Sequence, residues 1–187
     1  MQKCIVLIGP PCSGKSTVGK ELASQIGYKY VSSGDIARKM ATEEQGISDD
    51  LDAGKMAPED RMREEIAKIL NAYVEDDIIL DGFPRFEEQW EWIITNFDRE
   101  FAYIIIDVPT LDMFSRAMSR GRIMDNVAFM DRLEYYVKNT MPMINRIDDH
   151  CTVYGVPTTV IMNNVNPTIV AYEVRKYLDD WGYLRCL

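Results

Sequence analysis

The stretch "CIVLIGPPCSGKST", Cys4 to Thr17, decides the fold. Five apolar residues in an unbroken row predict a strand covered on both faces. Glycine and proline then break the chain, and a single lysine stands where a helix begins. Gly9-Pro10-Pro11-Cys12-Ser13-Gly14-Lys15-Ser16 fits the pattern G-x-x-x-x-G-K-[ST] in the strand-to-helix context that gives the pattern its meaning. The loop from Pro11 through Cys12, Ser13 and Gly14 to Lys15, Ser16 and Thr17 therefore predicts a phosphate cradle. Backbone N–H groups of the loop and of the helix N-terminus surround the phosphates of a nucleotide, Lys15 reaches the outer ones, and the Ser16 hydroxyl faces Mg²⁺. Such a loop implies nucleotide binding and leaves the reaction open.

Working outward, further apolar runs recur at 28–31, 77–81, 101–108 and 157–162. Their continuous character suits parallel strands, and helix-like stretches lie between them. "GKSTVGKELASQIG" predicts a helix ending at Gly27. "APEDRMREEIAKILNAYV" predicts a second, with Met62, Ile66, Ile69 and Tyr73 at helical spacing, and "NPTIVAYEVRKYLDDWG" a closing one. The expectation is one α/β domain over residues 1–187, a five-stranded parallel sheet, doubly wound, with ligands at the carboxyl edge of the strands. Two connections, Ser32 to about Glu75 and Pro109 to about Val156, exceed a simple crossover and predict helical insertions that act as lids.

A formal charge of −9 argues against nucleic acid or an anionic membrane as partner. No apolar run approaches a membrane span, and no secretory leader is legible, so the expectation is a cytoplasmic protein. Cys4, Cys12, Cys151 and Cys186 form no C-x-x-C pair and predict neither a zinc site nor a disulfide framework. In an acidic chain, phosphate has to be held by local cations, and Arg116, Arg120, Arg122 and Arg132 fall close together.

Two more motifs follow the second and third strands. In "SSGDIAR", residues 32–38, Ser33 and Gly34 offer hydroxyl and amide donors, and Arg38 lies about one helical turn on, where it can fork onto a phosphate. In "DGFPR", residues 81–85, Asp81 lands on the same sheet edge as Lys15, where an acid can hold metal-bound water.

Together the three motifs resemble those of the nucleoside monophosphate kinases, most closely the adenylate kinases, over nearly the whole chain. "SSGDIAR", "DAGKMAP" at 52–58 and "DGFPRFEEQ" at 81–89 match that family's patterns in order and spacing. The resemblance implies a P-loop kinase fold with residues 32–75 as the insertion that binds the monophosphate and 116–132 as a short lid. It implies that Ser33, Gly34, Arg38, the backbone at Met56 and Ala57, Gly82, Arg85 and Gln89 hold the monophosphate, with Gln89 reading its base and favouring AMP. It further implies that Arg116 and Arg120 contact the base and phosphates of ATP, that a backbone carbonyl at Asn166 meets its adenine, and that Lys15, Arg85, Arg122 and Arg132 act on the transferring phosphoryl group. The expected reaction is ATP + AMP giving two ADP, with Mg²⁺ held by Ser16 and, through water, Asp81.

The chain also departs from the family. Cys12 stands where relatives have glycine, Ser16 follows the lysine in another glycine's place, and the lid is collapsed to Arg120-Gly121-Arg122. Ser33, where AMP-specific relatives more often have threonine, keeps a UMP/CMP kinase as an alternative. The altered loop and trimmed lid keep a slow-turnover nucleotide-binding regulatory or assembly factor as another. Phosphoryl transfer to a phosphate needs no general base, so His150, the single histidine, is expected to be structural or solvated.

Overall fold

The computed structural model describes residues 1–119 and 126–184. Five strands, β1 (Gln2–Ile8), β2 (Lys29–Ser32), β3 (Ile78–Asp81), β4 (Arg99–Asp107) and β5 (Thr158–Met162), form one sheet in the order β2-β3-β1-β4-β5. Every pairing is parallel. The expected α/β fold is therefore the one observed, each strand lying within two residues of the apolar run that announced it.

β1 shows why the run is continuous. Cys4, Val6 and Ile8 enter one hydrophobic cluster while Ile5 and Leu7 enter another on the opposite face, so both sides of the strand leave water. On the Ile5/Leu7 face pack α1 (Lys15–Ile26) and α9 (Pro167–Asp180), through Val18, Leu22, Val170, Val174 and Leu178. On the other lie α4 (Glu59–Ala72), α5 (Glu87–Asn96) and α8 (Met141–Tyr154), which bring Ile66, Leu70, Trp90, Ile93, Met143 and Ile147.

Local chemistry sets the ends. α1 stops at Gly27, whose φ of 75° is left-handed and inexpensive for a residue without Cβ. The Ser32 hydroxyl accepts from the Asp35 amide and caps α2 (Ser33–Glu43). Asn166 caps α9 in the same way, accepting from the Thr168 amide ahead of Pro167.

Each long connection is helical. Between β2 and β3 run α2, α3 (Gln45–Asp52) and α4; between β4 and β5 run α6 (Thr110–Ser119), α7 (Asn126–Tyr135), a π-helical turn (Tyr136–Thr140) and α8. The two connections touch. A Cβ on Gly54, which follows α3 with φ 81°, would lie 2.6 Å from the Ala128 Cα in α7, and an Arg132 Nη2 donates to the Leu51 carbonyl at 2.9 Å.

Candidate active site

The carboxyl ends of β1, β2 and β3 open onto one cavity of about 690 Å³, with α7 and the π-helical turn forming part of its wall. Ligand sites of doubly wound sheets lie at this edge.

At the end of β1 the loop turns through Cys12 at φ 60° and Gly14 at φ 88°. The left-handed conformation at Cys12 costs an L-residue about 1–2 kcal/mol, a cost that a glycine would not carry. The half-buried thiol packs against a small cluster of Val108, Met113 and Phe129. Lys15 Nζ folds over the loop, donating to the Gly9 carbonyl at 2.7 Å, the Pro10 carbonyl at 2.9 Å and the Ser13 Oγ at 3.3 Å. Pro11, Cys12, Lys15 and Ser16 line the cavity; Ser13 is buried behind it, and Gly14 and Thr17 stand outside the lining.

The back of the loop is tied down by residues from β5 and α6. Asn163, buried just past β5, donates from Nδ2 to the Ser13 carbonyl at 2.6 Å, and Arg116 Nη1 donates to the same oxygen at 3.2 Å. Arg116 Nη2 also donates to the Asn163 carbonyl at 2.6 Å. Arg116 thus grips the loop's backbone from outside the cavity. Asn166 lies outside the lining too, and its carbonyl accepts from the Ile169 and Val170 amides at 2.9 and 3.2 Å, as the first turn of α9 requires.

Beside the loop, the buried carboxylate of Asp81 accepts from the Ser16 hydroxyl and from the Tyr30 hydroxyl, both at 2.6 Å and both on Oδ2. Burial, and next the charge of Asp81, push the Tyr30 phenol far above its ordinary range, so it stays protonated and donating. Asp81 and Ser16 together form an oxygen-only donor set, which suits a hard divalent cation.

The second wall comes from α2 and the loop after β3. Gly82, at φ 74°, turns the chain so that its carbonyl accepts from the Ser33 hydroxyl and from Arg85 Nε, each at 2.7 Å. The half-buried Arg85 guanidinium also donates to Met56 Sδ at 2.7 Å and to Ser33 Oγ at 3.3 Å. Desolvation pulls its pKa down from the ordinary arginine value, opposed by Asp81 and Tyr135. Gln89 is fixed at both ends, its Oε1 accepting from the Arg85 amide at 2.7 Å and its Nε2 donating to Glu59 at 2.5 Å. Gly34, Met56 and Ala57 line this part of the cavity. Arg38 lines it as well, exposed and paired with Asp35, an association weak enough to be exchanged for another anion.

Across from this wall, Arg132 and Tyr136 line the cavity, and the Thr140 hydroxyl donates to the Arg85 carbonyl at 2.7 Å. Burial, with a smaller contribution from Asp107, pushes the Tyr136 phenol up to about 12. Arg120 and Arg122 lie outside the described residues. His150 sits between the rings of Trp90 and Tyr154, at 5.3 and 4.5 Å, and is absent from the lining.

Four contributors escaped the sequence: Tyr30, Glu59, Thr140 and Asn163. None belongs to a motif, and each acts across the fold. The signals available were a tyrosine inside a short strand run and an acid just after a proline.

A parallel sheet with a glycine-rich loop over a helix N-terminus, a lysine folded on that loop and a cluster of guanidinium groups around one cavity defines a P-loop nucleotide-binding protein. Comparison with known proteins narrows the class. A family model described as "AAA domain" matches residues 8–130. The adenylate kinase of Mycobacterium sp. (strain MCS) is 32% identical over 160 residues, covering 75% of this chain and 83% of the relative. That of Corynebacterium glutamicum (strain R) is 31% identical over 156 residues, 78% and 86% of the two chains. That of Salinibacter ruber is 28% identical over 186 residues, 93% and 87%. The chain belongs to the adenylate kinase family, and is a phosphotransferase.

Proposed function

We propose that the protein transfers the γ-phosphoryl group of ATP to AMP, giving two ADP, in the presence of Mg²⁺. The observation that carries this reading is that two anion-holding walls face a single cavity: the Lys15 and Ser16 loop on one side, and Ser33, Arg85 and Gln89 on the other.

Residues 11–17 hold the donor, with backbone N–H groups and Lys15 on its phosphates. Lys15 reaches its phosphates by exchanging the loop carbonyls it now binds. Arg116 supports this site from behind, through the Ser13 carbonyl. Residues 32–75 are the insertion that binds the monophosphate: Ser33, Gly34, Arg38 and Arg85 on its phosphate, the backbone at Met56 and Ala57 along the nucleotide, and Gln89 on the base. Gln89 keeps one N–H beyond the one given to Glu59, and this is the donor available to a base acceptor. Residues 116–132 form the short lid, with Arg120 on the base and phosphates of ATP, and Arg122 and Arg132 as the cations on the transferring group.

The attacking oxygen of AMP is already ionised at neutral pH, so no general base is required. The difficulty is repulsion between two anions and their alignment in line, and cations pre-placed around one cavity address both. The two insertions meet at Gly54/Ala128 and Arg132/Leu51, which supports a closure over bound nucleotides that keeps water from the transferring group. Ser16 and Asp81 fit Mg²⁺ by their oxygen donors and contact, and the ion, when bound, neutralises charge on the donor's phosphates. The negative net charge supports small nucleotides rather than nucleic acid as partners, and the reading takes the enzyme as a cytoplasmic monomer.

Initial rates with AMP, dAMP, CMP and UMP at equal concentration test the acceptor assignment. AMP should lead; CMP or UMP ahead of AMP by tenfold or more would overturn the role given to Gln89 and make the protein a UMP/CMP kinase.

A further inference from the structure

Tyr30 belongs to none of the motifs, yet its hydroxyl sits on the same carboxylate oxygen as the Ser16 hydroxyl. The sheet register explains how. Tyr30 stands opposite Ile79 and Ser32 opposite Asp81, so Tyr30 and Asp81 lie two register positions apart. Side chains two apart in register share a face, and a tyrosine is long enough to run along the strand to the carboxylate.

Helix α1 leaves room for it. A Cβ on Gly19 would lie 2.8 Å from Tyr30 Cε2 and 2.7 Å from Leu7 Cδ1, so the ring rests directly against the helix at a residue with no side chain. The Lys20 ammonium lies 5.7 Å from the ring centre, on the outer side of the same packing. Tyr30 is therefore clamped between sheet and helix, with one rigid polar atom delivered to one oxygen.

We propose that Tyr30 is a positioning residue for the divalent-cation site: by donating to Asp81 it fixes the carboxylate toward Ser16 and so raises the affinity of the nucleotide complex for the cation. The inference rests on the metal assignment made under the proposed function. Ser16 Oγ spends its proton on Asp81 and keeps its lone pairs for a cation, while Asp81, held by two donors on Oδ2, presents Oδ1 to metal-bound water. Outer partners of this kind commonly contribute about 10–100-fold in metal affinity by fixing ligand orientation.

The test measures the metal itself. Mn²⁺ is titrated into protein whose nucleotide site is filled with a non-hydrolysable ATP analogue, and free ion is counted by electron paramagnetic resonance. Tyr30→Phe, which keeps the packed ring, should raise the Mn²⁺ dissociation constant about tenfold while leaving the analogue's affinity in a chelator unchanged. Gly19→Ala, which retains the hydroxyl but displaces the ring, should shift the constant in the same direction. Circular dichroism melting confirms that both variants are folded at the assay temperature. An unchanged Mn²⁺ constant in Tyr30→Phe, or an equal loss of analogue affinity with and without metal, would overturn the inference and leave the metal assignment intact. A wild-type complex that holds no Mn²⁺ would overturn both.

Discussion

Replacing Arg85 separates catalysis from architecture more cleanly than any other change in the cavity. A guanidinium has five N–H donors. Here one goes to the Gly82 carbonyl, one to Met56 Sδ and one to Ser33 Oγ. One N–H on each terminal nitrogen remains, which is the fork that grips two phosphate oxygens. Charged hydrogen bonds of this kind contribute about 1.5–3 kcal/mol each, so losing the pair costs about 3–6 kcal/mol in the transition state, a fall of about 10²–10⁴ in kcat/KM for AMP. The fold should tolerate the loss. Arg85 pairs with no carboxylate among the described residues, its partners are neutral, and desolvation already disfavours its charge. Arg85→Ala should therefore lower kcat/KM by at least a hundredfold in a coupled ADP assay while Tm moves by only a few degrees. Arg85→Lys, which keeps a charge but not the fork, should recover only part of the rate. Activity of Arg85→Ala within about threefold of wild type would remove this residue from the mechanism.

Lys15→Met should reduce transfer by about a hundredfold or more, with the loss shared by every acceptor because the donor is the nucleotide affected; a defect confined to one acceptor would place the lysine elsewhere. Gly54→Ala puts a Cβ 2.6 Å from the Ala128 Cα at a φ of 81°, so closure of the two insertions should be impeded, kcat should fall, and the ratio of ATP hydrolysed to phosphoryl transferred should rise. An unchanged ratio by phosphate release assay would show that this contact does not govern closure. Cys4 is fully buried, and burial pushes its thiol up to about 12, with Arg99 opposing. A folded-state value above the unfolded one means that the contribution is complete below the ordinary thiol range and declines as pH rises toward the folded value. Stability should thus fall by about 1 kcal/mol between pH 8 and pH 10 from this group alone, and a Cys4→Val variant should show a correspondingly flatter denaturation profile.

Much of the fold was legible because β1 is buried on both faces and Gly27 and Asn166 mark helix ends through local chemistry. Strand edges were less so. β4 begins at Arg99, ahead of its apolar run, since that arginine is buried with its guanidinium on the carbonyls of Leu70, Tyr73 and Asp76. Within the site, local motifs announced Lys15, Ser33, Asp81, Arg85 and Gln89, all of which reach the cavity wall. Arg116 and Asn166 behave differently. The arginine is bound to loop backbone, because partners supplied by the P-loop and by the end of β5 cannot be read from spacing, whereas the asparagine is taken up in starting α9, as the local Asn-Pro pair signals. Tyr30, Glu59, Thr140 and Asn163 were silent for the same reason: each meets its partner only after the sheet and insertions have assembled.

The central claim is that two nucleotides meet in one cavity and exchange a phosphoryl group without water. Phosphorus NMR of the protein with ATP, AMP and Mg²⁺ follows every species at once. ATP and AMP should disappear together, two ADP should form for each AMP consumed, and almost no inorganic phosphate should appear. ATP turnover that is indifferent to AMP, or phosphate released in place of ADP, would contradict it.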